Sequence, residues 1–251
     1  MTISRCSALL AALLVAGCGS PLKAGDAVAI ADANASDVAG SDAGMRPAIA
    51  DAELLARAFQ AVYGHRTAFE QGNGSGKWVT APETLFHNGK HRVLIASDQP
   101  LYQRGKMLRV SYLDSDGDGK PYRVRKTWEL GPRFVYDWNV SGFFGPPTLY
   151  VAEASMGAGS SCGTFWLIEL RDEGPVTVAE GPLSYGVYYK EPHAQVGGEI
   201  VGIEQGRSFR VKYTGAENLT ETWLREGDHY VRSSRQRLSD VCDWEGDGVK
   251  Q

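Results

Sequence analysis

Asp114-Ser115-Asp116-Gly117-Asp118-Gly119 is the stretch of this sequence whose residue types point most directly to chemistry. Three carboxylates at alternate positions, with glycines between them, can gather oxygen ligands around a hard cation while the backbone turns sharply. Its start follows the D-x-D-x-D-G calcium-loop pattern. Two readings stay open. Asp114, Asp116 and Asp118 hold a structural calcium ion, or the stretch is a polar Asp-Gly turn whose composition alone accounts for it.

Position 12 of such a loop is Arg125, where an EF-hand needs a bidentate glutamate, and the flanks read as strands rather than helices. The segment is therefore not an EF-hand. It resembles the calcium loops found between β-strands in extracellular proteins, which implies further ligands from elsewhere in the chain.

Other arrangements carry weaker chemistry. Gly159-Ser160-Ser161-Cys162-Gly163 matches G-x-S-x-G, but a hydrolase nucleophile elbow needs a helix after the serine. The residues that follow, Thr164 to Ile168, are β-branched and aromatic, so the segment reads as a Gly/Ser loop between strands. His87 and His91 flank an Asn88-Gly89 turn, and across a hairpin their rings point to opposite faces, which argues against a shared metal. Glu153 and Glu169 fall on neighbouring expected strands, but a sequence does not give the separation that glycosidic chemistry depends on. No residue is assigned a catalytic role. Trp138 and the pair Phe143-Phe144, the latter in a Gly/Pro loop where burial is harder, are the candidate partner-binding anchors.

The elements that must position these residues are mostly strands. Asp51 caps an expected helix over 52–63, whose Leu55, Phe59 and Val62 recur at helical spacing, with Gly64 at its stop. From Lys77 onward the chain reads as β. Strands are expected at 92–97, 107–114, 122–130, 133–140, 148–154, 164–170, 176–180, 186–190, 199–204, 208–213, 220–225 and 229–233. They are short, rich in Val, Ile, Tyr, Phe, Trp and Thr, and separated by Gly/Asp/Pro turns. The expected fold is mainly β: an antiparallel sandwich or barrel-like domain of about a dozen short strands with one N-terminal helix.

The first eighteen residues carry a charged start, an apolar run over 6–15, and then Leu14-Val15-Ala16-Gly17-Cys18. A charged n-region and an h-region too short to span a bilayer read as a secretory signal. A branched apolar residue, small residues and then cysteine resemble the lipobox of bacterial lipoproteins. That resemblance implies cleavage before Cys18 and acylation of Cys18, and two or more acyl chains give stable anchoring. Gly19 in place of aspartate implies the outer membrane, with the domain facing the periplasm. The expected organisation is a signal over 1–17, the lipidated Cys18 and a flexible Ala/Gly/Ser/Asp tether over 18–50, and one mainly-β domain over 51–251.

Without the signal the chain keeps 25 Lys+Arg against 30 Asp+Glu, a net charge of −5 with no basic tract, which excludes nucleic acid as the expected partner. No apolar run of membrane-spanning length follows the signal. Of four cysteines, Cys6 leaves with the signal and Cys18 is acylated, so Cys162 and Cys242 are the expected disulfide in an oxidising compartment. The expected function is a lipid-anchored envelope binding protein for a protein or cell-wall ligand, acting as an inhibitor or immunity protein against a hydrolase or toxin. The alternatives are an envelope hydrolase of wall glycan or peptide and a passive structural lipoprotein.

Overall fold

The structure, a computed structural model, describes residues 51–238 except 74, 75, 102–104, 115–119, 133, 143, 158 and 189–192. The expected signal and tether, Cys18, Asp116, Asp118, Phe143 and Cys242 lie outside the described residues. Within them the protein is mainly β, with one helix and two antiparallel sheets.

The helix α1 spans Ala52–Tyr63. The Asp51 side chain accepts from the Glu53 backbone N–H at 3.0 Å, and Gly64 closes the helix in a left-handed conformation at φ 77°. Ala58 and Phe59 are fully buried against Leu85, Leu94, Ala96 and Leu113 of the first sheet. Among the described residues no helix is long and apolar enough to cross a membrane.

The first sheet has five strands in sequence order: β1 (Phe69–Gln71), β2 (Trp78–Asn88), β3 (His91–Pro100), β4 (Met107–Asp114) and β5 (Arg123–Glu129). The second has eight, again neighbour to neighbour: β6 (Val135–Ser141), β7 (Thr148–Gly157), β8 (Ser160–Arg171), β9 (Gly174–Val187), β10 (Ala194–Glu204), β11 (Ser208–Gly215), β12 (Leu219–Glu226) and β13 (His229–Arg232). Within each sheet every strand pairs with the next in the chain, and the β5–β6 connection passes from the first sheet to the second.

The two sheets share one core. Phe86, Val93, Ile95, Leu108, Val110 and Tyr112 of the first pack against Val135, Val140, Leu149, Val151, Ile168 and Leu170 of the second. The other face of the second sheet closes a separate core around Tyr150, Phe165, Leu167, Phe209, Val211 and Trp223. Residues 148–152 of β7 are therefore buried throughout, because Leu149 and Val151 face one core and Tyr150 and Ala152 face the other.

Three expectations change. β1 and β2 were not anticipated as individual strands; β2 carries Pro82, which sits where the β2–β3 register shifts. The hairpin turn at the end of β2 is Gly89-Lys90 rather than Asn88-Gly89, because Asn88 pairs with His91. The expected strands 176–180 and 186–190 are one strand, β9, running through Gly181-Pro182. Gly181 is there for packing, not turning: a Cβ on it would lie 2.6 Å from the Trp223 ring.

Candidate functional site

Asp114 ends β4, the β2–β3 hairpin delivers His91, and β5 delivers Arg125 to the same corner. His91 Nδ1 lies 2.8 Å from Asp114 Oδ1, and Arg125 lies 2.5 Å from His91 Nε2. Arg125 Nε is also 4.0 Å from Asp114 Oδ2. These partners assign His91 as neutral, with Nδ1–H donating to the carboxylate and Nε2 accepting from the guanidinium. Buried to 6 % exposure and bonded on both nitrogens, His91 is a positioning residue for Asp114. Arg125, which occupies the position where an EF-hand would supply a carboxylate, brings a positive charge to Asp114 instead. His87 is exposed and pairs with Arg92, on the face opposite His91. Among the described residues no three His, Cys, Asp or Glu side chains gather as a metal site.

The G-x-S-x-G segment lies on a strand–turn–strand hairpin, with Gly157 opposite Ser160 and no helix following. Ser160 Oγ donates to the Gly157 carbonyl at 2.9 Å, and Ser161 Oγ lies 3.4 Å from the Tyr188 hydroxyl. This is hairpin chemistry, not a nucleophile elbow. Cys162 is 8 % exposed and disulfide-bonded, and the chain's other three cysteines lie outside the described residues. It sits opposite Tyr185, whose ring belongs to the second core. Leu238, four residues before Cys242, is buried in that same core, and its N–H donates to the buried Glu221 carboxylate at 2.9 Å.

Phe144 is not an exposed anchor. It is 4 % exposed, with its ring set edge-on to Phe209 and Tyr230 in the second core. The Gly/Pro loop folds inward because an aromatic side chain buries more apolar area there than it could against solvent. Trp138 is half-buried at the margin of the core between the sheets, with the Lys106 ammonium 5.6 Å from its ring centre.

The carboxylates separate in a way the sequence does not show. Glu169 is 1 % exposed and held by Arg225 and Arg171, the latter at 2.8 Å. Burial alone would raise its pKa, but hydrogen bonds and charge from the two guanidinium groups outweigh that, and the carboxyl is held below its ordinary value. Glu153 lies on the opposite face of the sheet, so these two glutamates do not meet. Glu153 couples instead to Glu180 on β9.

Register explains why. Trp138, Val151, Trp166 and Glu180 form one row across β6, β7, β8 and β9, each directly opposite the next. Val135, Glu153, Thr164 and Pro182 form the adjacent row. Residues opposite each other share a face, so both tryptophans and both glutamates project from the same side. Trp138 and Trp166 are two strand spacings apart, roughly 10 Å. On the first sheet, Glu83 of β2 accepts from Ser97 of β3 at 2.5 Å and from Lys106 at 2.8 Å. Desolvation first, and the Glu153 charge second, hold the Glu180 carboxyl above its ordinary value.

Trp166, Glu180, Lys106 and Glu83 were not singled out in the sequence. The only signal for them is strand alternation, which marks a face but not which residues from distant strands share it. No protein-family model, no curated protein and no solved structure matches this chain.

Proposed function

We propose that this protein is a lipid-anchored binding protein of the cell envelope. Acylated Cys18 holds it at the outer membrane, and the β domain faces the periplasm on its tether. There it captures a protein or cell-wall ligand, as an inhibitor or immunity protein does, rather than converting a substrate. One observation carries the reading: two half-buried tryptophans share a face with two glutamates that have no hydrogen-bond or ion-pair partner among the described residues. Aromatic surface beside carboxylates open to solvent offers a partner both apolar area and charge.

A calcium ion in the Asp114 loop belongs to this proposal as a structural element. Asp116 and Asp118 would share it with the side of Asp114 that faces away from His91. A second reading, an envelope hydrolase, is favoured only by Glu153 and Glu180 sharing one face, with the Glu180 carboxyl held above its ordinary value.

The test is affinity capture from envelope extract with the detergent-solubilised full chain as bait. A single saturable partner lost with Trp138→Ala supports the binding reading. A blank capture combined with release of soluble fragments from isolated cell wall replaces it with the hydrolase.

A further inference from the structure

We propose that segment 233–238 is a redox-latched strap over the second core, seated by Leu238 and held shut by the Cys162 disulfide. A dithiol reductant opens it. This device stands apart from the binding reading and does not depend on what the protein captures.

The strap is held at its two ends and little between. β13 ends at Arg232, and the next residue, Ser233, donates to the Thr222 carbonyl from its N–H at 2.9 Å and from its hydroxyl at 3.2 Å. Residues 234–237 then make no hydrogen bond or ion pair among the described residues. Arg235, Gln236 and Arg237 are exposed, and the Ser234 hydroxyl is buried without a partner, which opposes closure. Leu238 is the opposite case. It is 4 % exposed within the second core, and its N–H donates to a Glu221 carboxylate oxygen at 2.9 Å. Glu221 is fully buried; Arg232 donates to that same oxygen at 3.2 Å, and the Tyr213 hydroxyl lies 3.4 Å from the other. With the strap lifted, the carboxylate keeps Arg232 and Tyr213, so opening leaves no buried charge unpaired. One apolar side chain and one charge-assisted hydrogen bond work against the entropy of ordering the whole segment, so the seat alone is weak.

The disulfide supplies the rest. Cys162 is disulfide-bonded on β8, opposite Tyr185 of the same core that takes Leu238. Cys242, its expected partner, follows Leu238 by four residues, roughly 13 Å of chain at full extension. Oxidised, that link confines Leu238 near its seat and keeps its effective concentration there high. Reduced, everything beyond Arg232 is a free chain end, and only the weak seat holds it. In the opening step a thiolate of the dithiol attacks the sulfur bonded to Cys162; the S–S bond breaks, and Cys162 leaves as a thiolate and takes a proton. The second thiol of the reductant then attacks the mixed disulfide, closes the reductant's own disulfide and releases the partner cysteine as a thiol. Two electrons and two protons pass from the dithiol to the protein. The strap then lifts and opens the apolar core beside Glu221 to solvent.

The experiment follows hydrogen exchange by mass spectrometry on the full chain solubilised in detergent, oxidised and after treatment with dithiothreitol. Peptides covering 233–238 should lose protection on reduction by at least about tenfold more than peptides covering β11 and β12. Those two strands are the internal reference, since losing the disulfide also lowers overall stability. Leu238→Ala in the oxidised protein removes the seat without touching the latch. It should speed exchange of the strap about tenfold while β11 and β12 stay protected. Equal loss across strap, β11 and β12 on reduction would make the disulfide a general brace and overturns the proposal. So does a strap whose exchange is unchanged by reduction or by Leu238→Ala, and so does peptide mapping that pairs Cys162 with a cysteine other than Cys242.

Discussion

Arg225 on β12 donates to the carboxylate of Glu169 on β8, and Arg171 holds the other carboxylate oxygen at 2.8 Å. Glu169 is 1 % exposed, so its charge depends on both partners. Its pKa is lower folded than unfolded. Such a group contributes stability above its unfolded value, near 4.5, and that contribution is lost as pH falls through the folded value. Glu169→Gln is expected to cost about 3 kcal/mol at pH 7, because two guanidinium groups lose their counter-charge. Urea denaturation of both proteins from pH 7 down to pH 3 should show the difference narrowing below about pH 4.5. A difference that stays constant across that range would assign the loss to packing instead.

Phe144 fills the second core against Phe209 and Tyr230. Phe144→Ala is expected to cost about 3–5 kcal/mol through lost burial and the cavity left behind. Capture of the partner by the folded fraction should not change. Chemical denaturation and capture on the same preparation check both halves of this prediction.

Cys162 is disulfide-bonded and stands opposite Tyr185, and Leu238 brings the C-terminal segment into the core that holds Tyr185. Pairing with Cys242 is the expected connectivity, and peptide mapping without reductant should recover that link. Closing a loop of this length is worth about 4 kcal/mol in the chain-entropy description. Cys242→Ser with Cys162→Ser should lower the denaturation free energy by that order, and a single alkylatable thiol at Cys162 in the native protein would remove the basis for it.

Under the proposed anchoring, Cys18→Ser should move the protein from the membrane pellet to the soluble fraction, because it removes the site of acylation. Retention in the pellet would contradict lipid anchoring.

Asp114 is shared between His91 and Arg125, so a calcium ion at this loop competes with a guanidinium already nearby. Calcium added to chelator-treated protein should raise Tm, with stabilisation of about 2.7 kcal/mol at a hundredfold excess over Kd. Arg125→Gln should enlarge the response and Asp116→Ala should abolish it. A flat Tm in all three returns the loop to an ordinary turn.

Much of the local architecture was legible. The cap at Asp51, the apolar spacing of Leu55, Phe59 and Val62, and Gly64 mark α1 to the residue, because caps and periodicity are written in neighbouring positions. Most strands were also legible, since alternation and turn residues are local. Gly181-Pro182 misled because both residues signal a turn, whereas the glycine makes room for the Trp223 ring from a strand some forty residues away. Phe144 misled in the same manner: its loop context is polar and bendable, yet its ring belongs to a core assembled from β11 and β13. Glu153 and Glu169 lie on adjacent strands, but the unshifted β7–β8 ladder sets Glu169 opposite Thr148 and Glu153 opposite Thr164, so simple alternation puts them on opposite faces.

By itself the amino-acid sequence determined the fold class, the helix α1, most of the strands as local segments and the residues available for chemistry, because propensity, alternation and turn geometry act over a few residues; the order of the strands in the two sheets came from the structure. Only the tertiary structure decided which of those residues meet. A period of two assigns a side chain to one of two faces, and a bulge or one-residue slip reverses the assignment for everything beyond it. The packing of two sheets and the pairing of distant strands then chose among the faces. They locked Glu169 between two arginines, buried Phe144, and set Glu153 and Glu180 on the opposite face of the second sheet from Glu169.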